Sequence, residues 1–376
     1  DDETKVHAVF NDKVVGKGKT YTWHLKYETP DLVSLNGLIK EVNIPKLELN
    51  PDIENYNLTI SYPDSFGPVL YVKPNSKPKL IFDKNDLGKG QISIAFGNFQ
   101  VFNFKLNYTI KNPNLTPIYT EIALPPDTNY QKIFLDSLSP APLDVTVDPD
   151  GNWLAKFQLR PEQQMTIQAT GSAQIFLKPE VSQEIVNFNT LKNLTSPQKY
   201  WESDHESIKA LAKQLGSVEK IYNYLVKSLR YDYNRVIASP QRLGAVYILK
   251  HPEQAICMEF TDLFIGLVRA LGISAREIDG FAFTNNSKLK PLSLKKDVLH
   301  SWPEYYDENR KTWIQVDPTW GNTSGVDYFG EFDLNHLAFV KRGRNSEIPH
   351  PAGAYKAVND ETKDVEVTFG REEDLV

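Results

Sequence analysis

The sequence predicts a multidomain chain, an all-β N-terminal sandwich region followed by an α+β domain, and three observations carry that prediction. Segments that alternate apolar and polar residues, such as Thr20 to Tyr27 and Gln91 to Phe96, follow one another from Lys5 to about Leu177. After Lys178-Pro179 this period of two is lost, and a helical period begins in which Val218, Ile221, Tyr222, Leu225 and Leu229 share one face. The order then runs helix, helix, strands, which is the α+β arrangement.

Taken in order, residues 1–180 form the β region. Turn chemistry punctuates it at Ser65-Phe66-Gly67, Gly88-Lys89-Gly90, Pro125-Pro126-Asp127 and Asp148-Pro149-Asp150-Gly151. One or two antiparallel sandwiches fit this pattern. A break is expected at 111–117, where the strands on either side need not share a sheet. Residues 181–198 read as a linker, 199–343 as the second domain and 344–376 as a tail. Within the tail, Asp364 to Phe369 alternates like a strand that either packs back on the β region or begins a further domain.

At 376 residues and 40% hydrophobic content, the chain is long enough for two or three buried cores. Its net charge of -6 lacks the basic excess that neutralising a phosphate backbone requires, so nucleic acid is excluded as an expected partner. With one cysteine, no intramolecular disulfide can form. The chain starts on Asp1, so a preceding segment, a signal or membrane anchor, is expected to have been removed. No stretch approaches the roughly 20 apolar residues of a membrane helix.

The lone cysteine stands at the head of an amphipathic run. Phe260, Leu263, Phe264, Leu267, Val268 and Leu271 recur at steps of three and four, Gly272 stands where a C-cap glycine belongs, and Pro252 precedes the start. Cys257 therefore falls in the first turn, where the helix dipole stabilises a thiolate. The plainer reading is a core cysteine, since Cys257 lies three residues before Phe260 on the same apolar face.

Val298 to Tyr306 and Lys311 to Asp317 flank a polar turn and read as a hairpin. If Asp307 to Arg310 form a four-residue loop, Tyr306 faces Lys311 and His300 faces Asp317. Directly opposed side chains share a face with Cβ atoms about 4.5–5.5 Å apart, which suits an imidazole donating to a carboxylate. Such an imidazole, held in one tautomer, can take a thiol proton and return it to a leaving group. Each residue alone has an ordinary explanation, and a register slip by one would put Asp317 on the wrong face.

Together these motifs resemble the transglutaminase-like superfamily, relatives of the papain-like thiol enzymes. The carriers are Cys257-Met258-Glu259-Phe260, Ala270 to Arg276 leading into Gly280-Phe281, His300-Ser301-Trp302, and Trp313 to Gly321. The resemblance implies a papain-like α+β domain with a Cys257, His300, Asp317 site acting on an amide or ester carbonyl of a protein or peptide. It also implies transamidation, deamidation or proteolysis as the reaction, and an extracellular or cell-surface location. The β region resembles leaders of prokaryotic surface-directed members around Leu124 to Asp127 and Asp150 to Trp153. Asp333 to Phe339 is similar to a segment of prokaryotic members, with His336 read as packing rather than lining the site.

Two departures stand out: Ala255 where many members have Gly, and Pro303 where many have an aliphatic residue. A proline removes a ladder N–H, so this part of the strand is expected at an edge or bulge. The oxyanion hole is expected to use the Cys257 N–H and one side-chain donor, with Gln254, Tyr231 and Trp302 as candidates. No cofactor or metal is expected: there is no EF-hand loop and no HExxH, and Gly88-Lys89-Gly90 is too short to cradle phosphate. The rival to an enzyme is a binding or scaffold module that keeps the fold. The catalytic reading requires sulfur, imidazole and carboxylate to converge in one cleft, with the sulfur open to solvent.

Overall fold

A computed structural model describes residues 18, 20, 22–48, 50–73, 80–89, 91–180, 188–236, 240–292, 299–329, 332–355 and 364–375. The expected strand content at 5–17 and linker residues 181–187 lie outside the described residues. Residues 22–27 are irregular and exposed rather than a strand, and Gly88-Lys89 end a short helix, Lys84–Lys89, rather than forming a hairpin turn.

The first β lobe is an antiparallel sheet in the order Val33–Asn36, Ile39–Ile44, Ile92–Phe96, Val69–Lys73. Its strand Ile92–Phe96 is buried on both faces, not half-buried as its alternation suggests. Ile92, Ile94 and Phe96 pack with Val72, Phe82 and Leu87, while Ala95 on the other side joins Ile39, Tyr71 and the main β core. A central strand with cores on both sides has no solvent face.

The second part of the β region is a sandwich. One sheet runs Asp144–Val147, Trp153–Leu159, Ile118–Leu124, and the other runs Val365–Phe369, Gln100–Lys111, Gln164–Ile175, Gln131–Ser139. Phe104, Leu106, Tyr108, Ile122, Phe157 and Ala169 fill the space between them. The stretch 111–117 is where the chain passes from one sheet to the other, and the tail strand packs back by pairing Val365 to Phe369 with Leu106 to Phe102.

The α+β part holds helices Glu206–Leu215, Val218–Ser228, Ala245–Lys250 and Cys257–Ala270 against a sheet. The sheet order is Thr312–Gln315, Leu299–Asp307, Ala275–Ala282, His336–Arg342. The last of these is an edge strand, and the β sandwich covers it. Gln131 bonds both the N–H (2.8 Å) and the carbonyl (3.0 Å) of Ala338, and Asn152 does the same for Lys341 (2.7 and 2.8 Å). Side-chain amides thus satisfy the outward ladder groups that an edge leaves open. Asp150 adds bonds to the N–H groups of Gly343 and Arg344. The β-region motifs singled out in the sequence are therefore docking elements. The linker holds a helix, Phe188–Asn193, and Leu191 and Leu194 pack there against Tyr306 and Trp313.

At Gly280 the sheet is closed too tightly for a side chain. A Cβ there would lie 2.0 Å from the Leu337 carbonyl oxygen and 2.9 Å from Ala338 Cα. Gly280 pairs with His300 on one side and Ala338 on the other. Gly280→Ala is therefore expected to destabilise the fold by about 3 kcal/mol, the upper range for overpacking, read as a lowered denaturant midpoint at unchanged slope.

Candidate active site

Cys257 is the first residue of the helix Cys257–Ala270, whose N-cap is Ile256. Ile256 has no side-chain acceptor, so the cap comes from the helix itself: Glu259 Oε2 accepts the Ile256 N–H at 3.0 Å. Buried Glu259 is neutralised by Arg235 at 3.0 Å and also accepts the Leu243 N–H. Glu259 at the third helical position was the available sequence signal for this half capping box. Further along, Asp262 binds the Trp201 indole N–H (3.0 Å) and the Arg242 guanidinium, which also pairs with Glu277 of the sheet at 2.9 Å. The helix and the sheet behind it are thus locked together.

Cys257 has 0% of its surface exposed. The requirement of a solvent-open sulfur is not met. The flanking Ile256 and Phe260 are themselves buried core residues. Nearby, Tyr231 packs edge-on against Tyr233 (4.9 Å), and the Tyr233 hydroxyl donates to the Lys288 carbonyl at 2.6 Å. That segment is also tied to the helix Pro318–Ser324, through Trp320 to the Pro291 carbonyl (3.0 Å) and Thr323 to the Leu289 carbonyl (2.6 Å). A strap of hydrogen bonds therefore joins the Tyr231 side of the site to the Trp320 side.

His300 and Asp317 meet, but not through the expected register. Tyr306 pairs with Trp313 and Asp307 with Thr312, so the ladder is offset by two residues from the expected pairing. The loop is Glu308 to Lys311, with Lys311 at φ 52 and Asp307 Oδ1 accepting the N–H groups of Asn309 and Arg310. A slip of two keeps every side chain on its face, whereas a slip of one would not. The short strand then ends at Gln315, and Asp317 becomes the N-cap of the helix Pro318–Ser324, its Oδ1 accepting the Trp320 N–H at 2.9 Å. Its Oδ2 lies 2.9 Å from His300 Nε2. The sequence reading missed this helix, although Asp-Pro at its start and Gly325 at its end are ordinary helix punctuation.

Pro303 is at a local edge and not at a bulge: the ladder to the short strand covers only Glu304 to Asp307. It sits in an interior strand and pairs with Glu277, and its carbonyl accepts the Val316 N–H at 3.1 Å. In an antiparallel ladder a residue's N and C=O point the same way. The missing donor of Pro303 thus faces Val316, just where pairing with the short strand gives out, and costs one bond at most.

Asp317 and both histidines around it are fully buried. Burial alone lifts the Asp317 carboxyl, but His300 and then His336 outweigh it and hold it down at about 2. Burial pushes the His300 ring below its ordinary value despite Asp317, which leaves it neutral at pH 7. A carboxylate only accepts, so the proton of neutral His300 sits on Nε2 and the lone pair on Nδ1. That Nδ1 is buried and has no hydrogen-bond partner among the described residues. The ring is stacked on Trp320 at 5.0 Å and on Trp302 at 6.0 Å, so its orientation is fixed from both sides.

His336, read from sequence as packing, stands in the site. It pairs with Ala282 while His300 pairs with Gly280, which puts both rings on one face of the sheet. Its Nδ1 is 2.6 Å from Asp333 Oδ1 and its Nε2 is 3.5 Å from the same Asp317 oxygen that His300 uses. Ligand atoms of His300, Asp317 and His336 lie within 4.8 Å of one another, a spacing a metal ion can bridge. The Asp317 oxygens are already engaged by His300 and Trp320, while His336 Nε2 stands at ion-pair distance, 3.5 Å, with no hydrogen-bond partner among the described residues.

Of the three oxyanion candidates, Trp302 uses its indole N–H on Gln315 at 3.2 Å. Gln254 is turned to the outer surface, bonding Tyr247 and Glu253 at 3.2 and 3.3 Å. Of the three, Tyr231 has a buried hydroxyl with no partner among the described residues. Burial, and next the charge of Cys257, push its ionisation well above the ordinary tyrosine value, so it stays a donor. A small cavity of about 10 Å³ lies against Trp302, Gln315, Phe332 and His336, and Cys257 is not in its walls.

Residues 205–318 match the model of the Transglutaminase-like superfamily. No curated protein matches the chain. Among solved structures, the chain is similar to a candidate cysteine protease from Cytophaga hutchinsonii, at 17% identity and a TM-score of 0.47, covering 73% of this chain and 99% of that one. It is also similar to the periplasmic domain of TgpA from Pseudomonas aeruginosa, at 15% identity and a TM-score of 0.32, covering 60% and 91%. A β-rich region followed by a transglutaminase-like domain is thus the architecture of this protein. Among the described residues, no helix is long and apolar enough to cross a membrane.

Proposed function

We propose that residues 199–343 carry out thiol-dependent acyl transfer or hydrolysis on an amide carbonyl of a protein or peptide, with Cys257 as nucleophile, His300 as base and Asp317 as its orienter. The observation that carries this reading is the tautomer of His300: Nε2 is spent on Asp317, and a bare, buried Nδ1 is left in the domain whose lone cysteine heads a helix. In the reaction, Nδ1 takes the thiol proton as sulfur bonds to the carbonyl carbon. The tetrahedral oxyanion accepts from the Cys257 N–H and the Tyr231 hydroxyl. Collapse expels the amine, which takes the proton back from His300, and the thioester passes to water or to a second amine. We place this activity outside the cytoplasm, from the resemblance of the β region to leaders of surface-directed relatives.

One observation favours a second reading, a non-catalytic binding or scaffold module: the complete burial of Cys257. Iodoacetamide alkylation of the folded protein across pH 5–9 separates the two. Reaction well below the ordinary thiol value of about 8.5 is the expected result, while a sulfur that reacts only after unfolding supports the scaffold. Glutamine-containing peptides with and without a primary amine then sort transamidation from deamidation and cleavage, by product mass and ammonia release.

A further inference from the structure

We propose that His336 is a positioning residue of this site, a second imidazole whose Nε2 stands 3.5 Å from the Asp317 oxygen that His300 uses and whose Nδ1 is held by Asp333 at 2.6 Å. The inference rests on the function proposed above and adds to it a residue that the sequence reading set aside.

The geometry is a line of alternating charge carriers. Asp333 binds His336 Nδ1 at 2.6 Å, His336 Nε2 faces Asp317 Oδ2 at 3.5 Å, and that oxygen binds His300 Nε2 at 2.9 Å. Every member is buried, and Asp333 is further anchored by the Tyr328 hydroxyl at 3.2 Å and the Asn335 N–H at 2.9 Å. Two buried carboxylates so close together are costly unless a cation stands between them. A protonated His336 supplies it: burial works against its charge, yet Asp333 and Asp317 prevail and raise its pKa.

The other charged groups around this line are accounted for. Lys73, from the first β lobe, lies 3.8 Å from the Tyr328 ring centroid, and with Lys290 it helps hold the Asp333 carboxyl low. Glu41 bonds Tyr71 at 2.9 Å and the Asn335 amide at 3.4 Å, at the outer end of the line. His300 stands on the inner end, its ring 5.5 Å from that of His336. Burial first, and the charge on His336 as a smaller cause in the same direction, lower the His300 ring, so His336 both stands against the orienting carboxylate and contributes to the proton affinity of the base.

The test pairs one variant with one measurement on the unaltered protein. In His336→Gln, the pH at which Cys257 alkylation reaches half its plateau rate is expected to move by about one unit, because the cation beside the Asp317–His300 pair is gone. A merely structural role leaves that midpoint where it was and lowers only the melting temperature, which overturns the proposal. NMR titration of the imidazole carbons in the wild-type protein needs neither variant nor activity. His336 still protonated at pH 7 beside a neutral His300 is the expected result, and a neutral His336 at that pH overturns it. A wild-type Cys257 inert at every pH defeats the catalytic reading instead, and the NMR result still decides whether His336 holds the charge assigned to it.

Discussion

Cys257→Ala is expected to abolish acyl-enzyme formation. With an activated ester or a glutamine peptide, mass spectrometry of the wild-type protein is expected to show one added acyl group, and the variant none, with turnover lower by at least about 10⁴-fold. The size of the effect follows from the absence of any replacement thiol: this is the only cysteine in the chain. The fold should survive, since the change removes one sulfur from a helix held by Glu259, Asp262 and Arg242. Far-UV dichroism and the melting temperature monitor that. Wild-type protein that acquires the acyl group elsewhere, or a variant that retains turnover, refutes the role of the sulfur.

Asp317→Asn is expected to lower turnover by about 10³- to 10⁴-fold and to destabilise the protein as well. Asp317 must accept on both oxygens, from the Trp320 N–H on one side and His300 Nε2 on the other. An asparagine has one oxygen and one NH₂. If the oxygen keeps the helix cap, the NH₂ opposes His300 and forces its proton onto Nδ1, which ends its use as a base. If the oxygen serves His300, the cap is lost. The stability arm has a definite sign. The Asp317 carboxyl titrates at about 2 when folded, below its unfolded value near 3.9, so it contributes of order 2 kcal/mol that is present above about pH 4 and lost as pH falls towards 2. The variant should therefore lose stability at pH 7 and converge on the wild type in strong acid. Equal turnover in the two proteins would sink the role of orienter.

The fold class was legible because periodicity is a local property. Strand alternation and the helical stripe of Val218, Ile221, Tyr222 and Leu225 each depend on a dozen neighbouring residues, and those residues are buried in the structure. Alternation could not foretell that Ile92–Phe96 has cores on both faces, because that depends on what the opposite lobe supplies. The pairing of His300 with Asp317 was reached through a register two residues away from the actual one. The parity of the ladder rescued it, and the turn into the helix at Asp317 did the rest.

From the chain alone came the candidate groups of the site: one thiol at the head of a helix, one imidazole and one carboxylate around a hairpin, each readable from spacing within a few turns or strands. Tertiary structure alone decided which of them share a proton and which are sealed from water. The burial of Cys257, the Nδ1 of His300 and the hydroxyl of Tyr231 left without partners among the described residues, and the arrival of His336 all depend on contacts between segments far apart in sequence. The reason is physical: periodicity records which face of an element is apolar, whereas proton affinity and solvent access depend on whatever other elements are packed against that face.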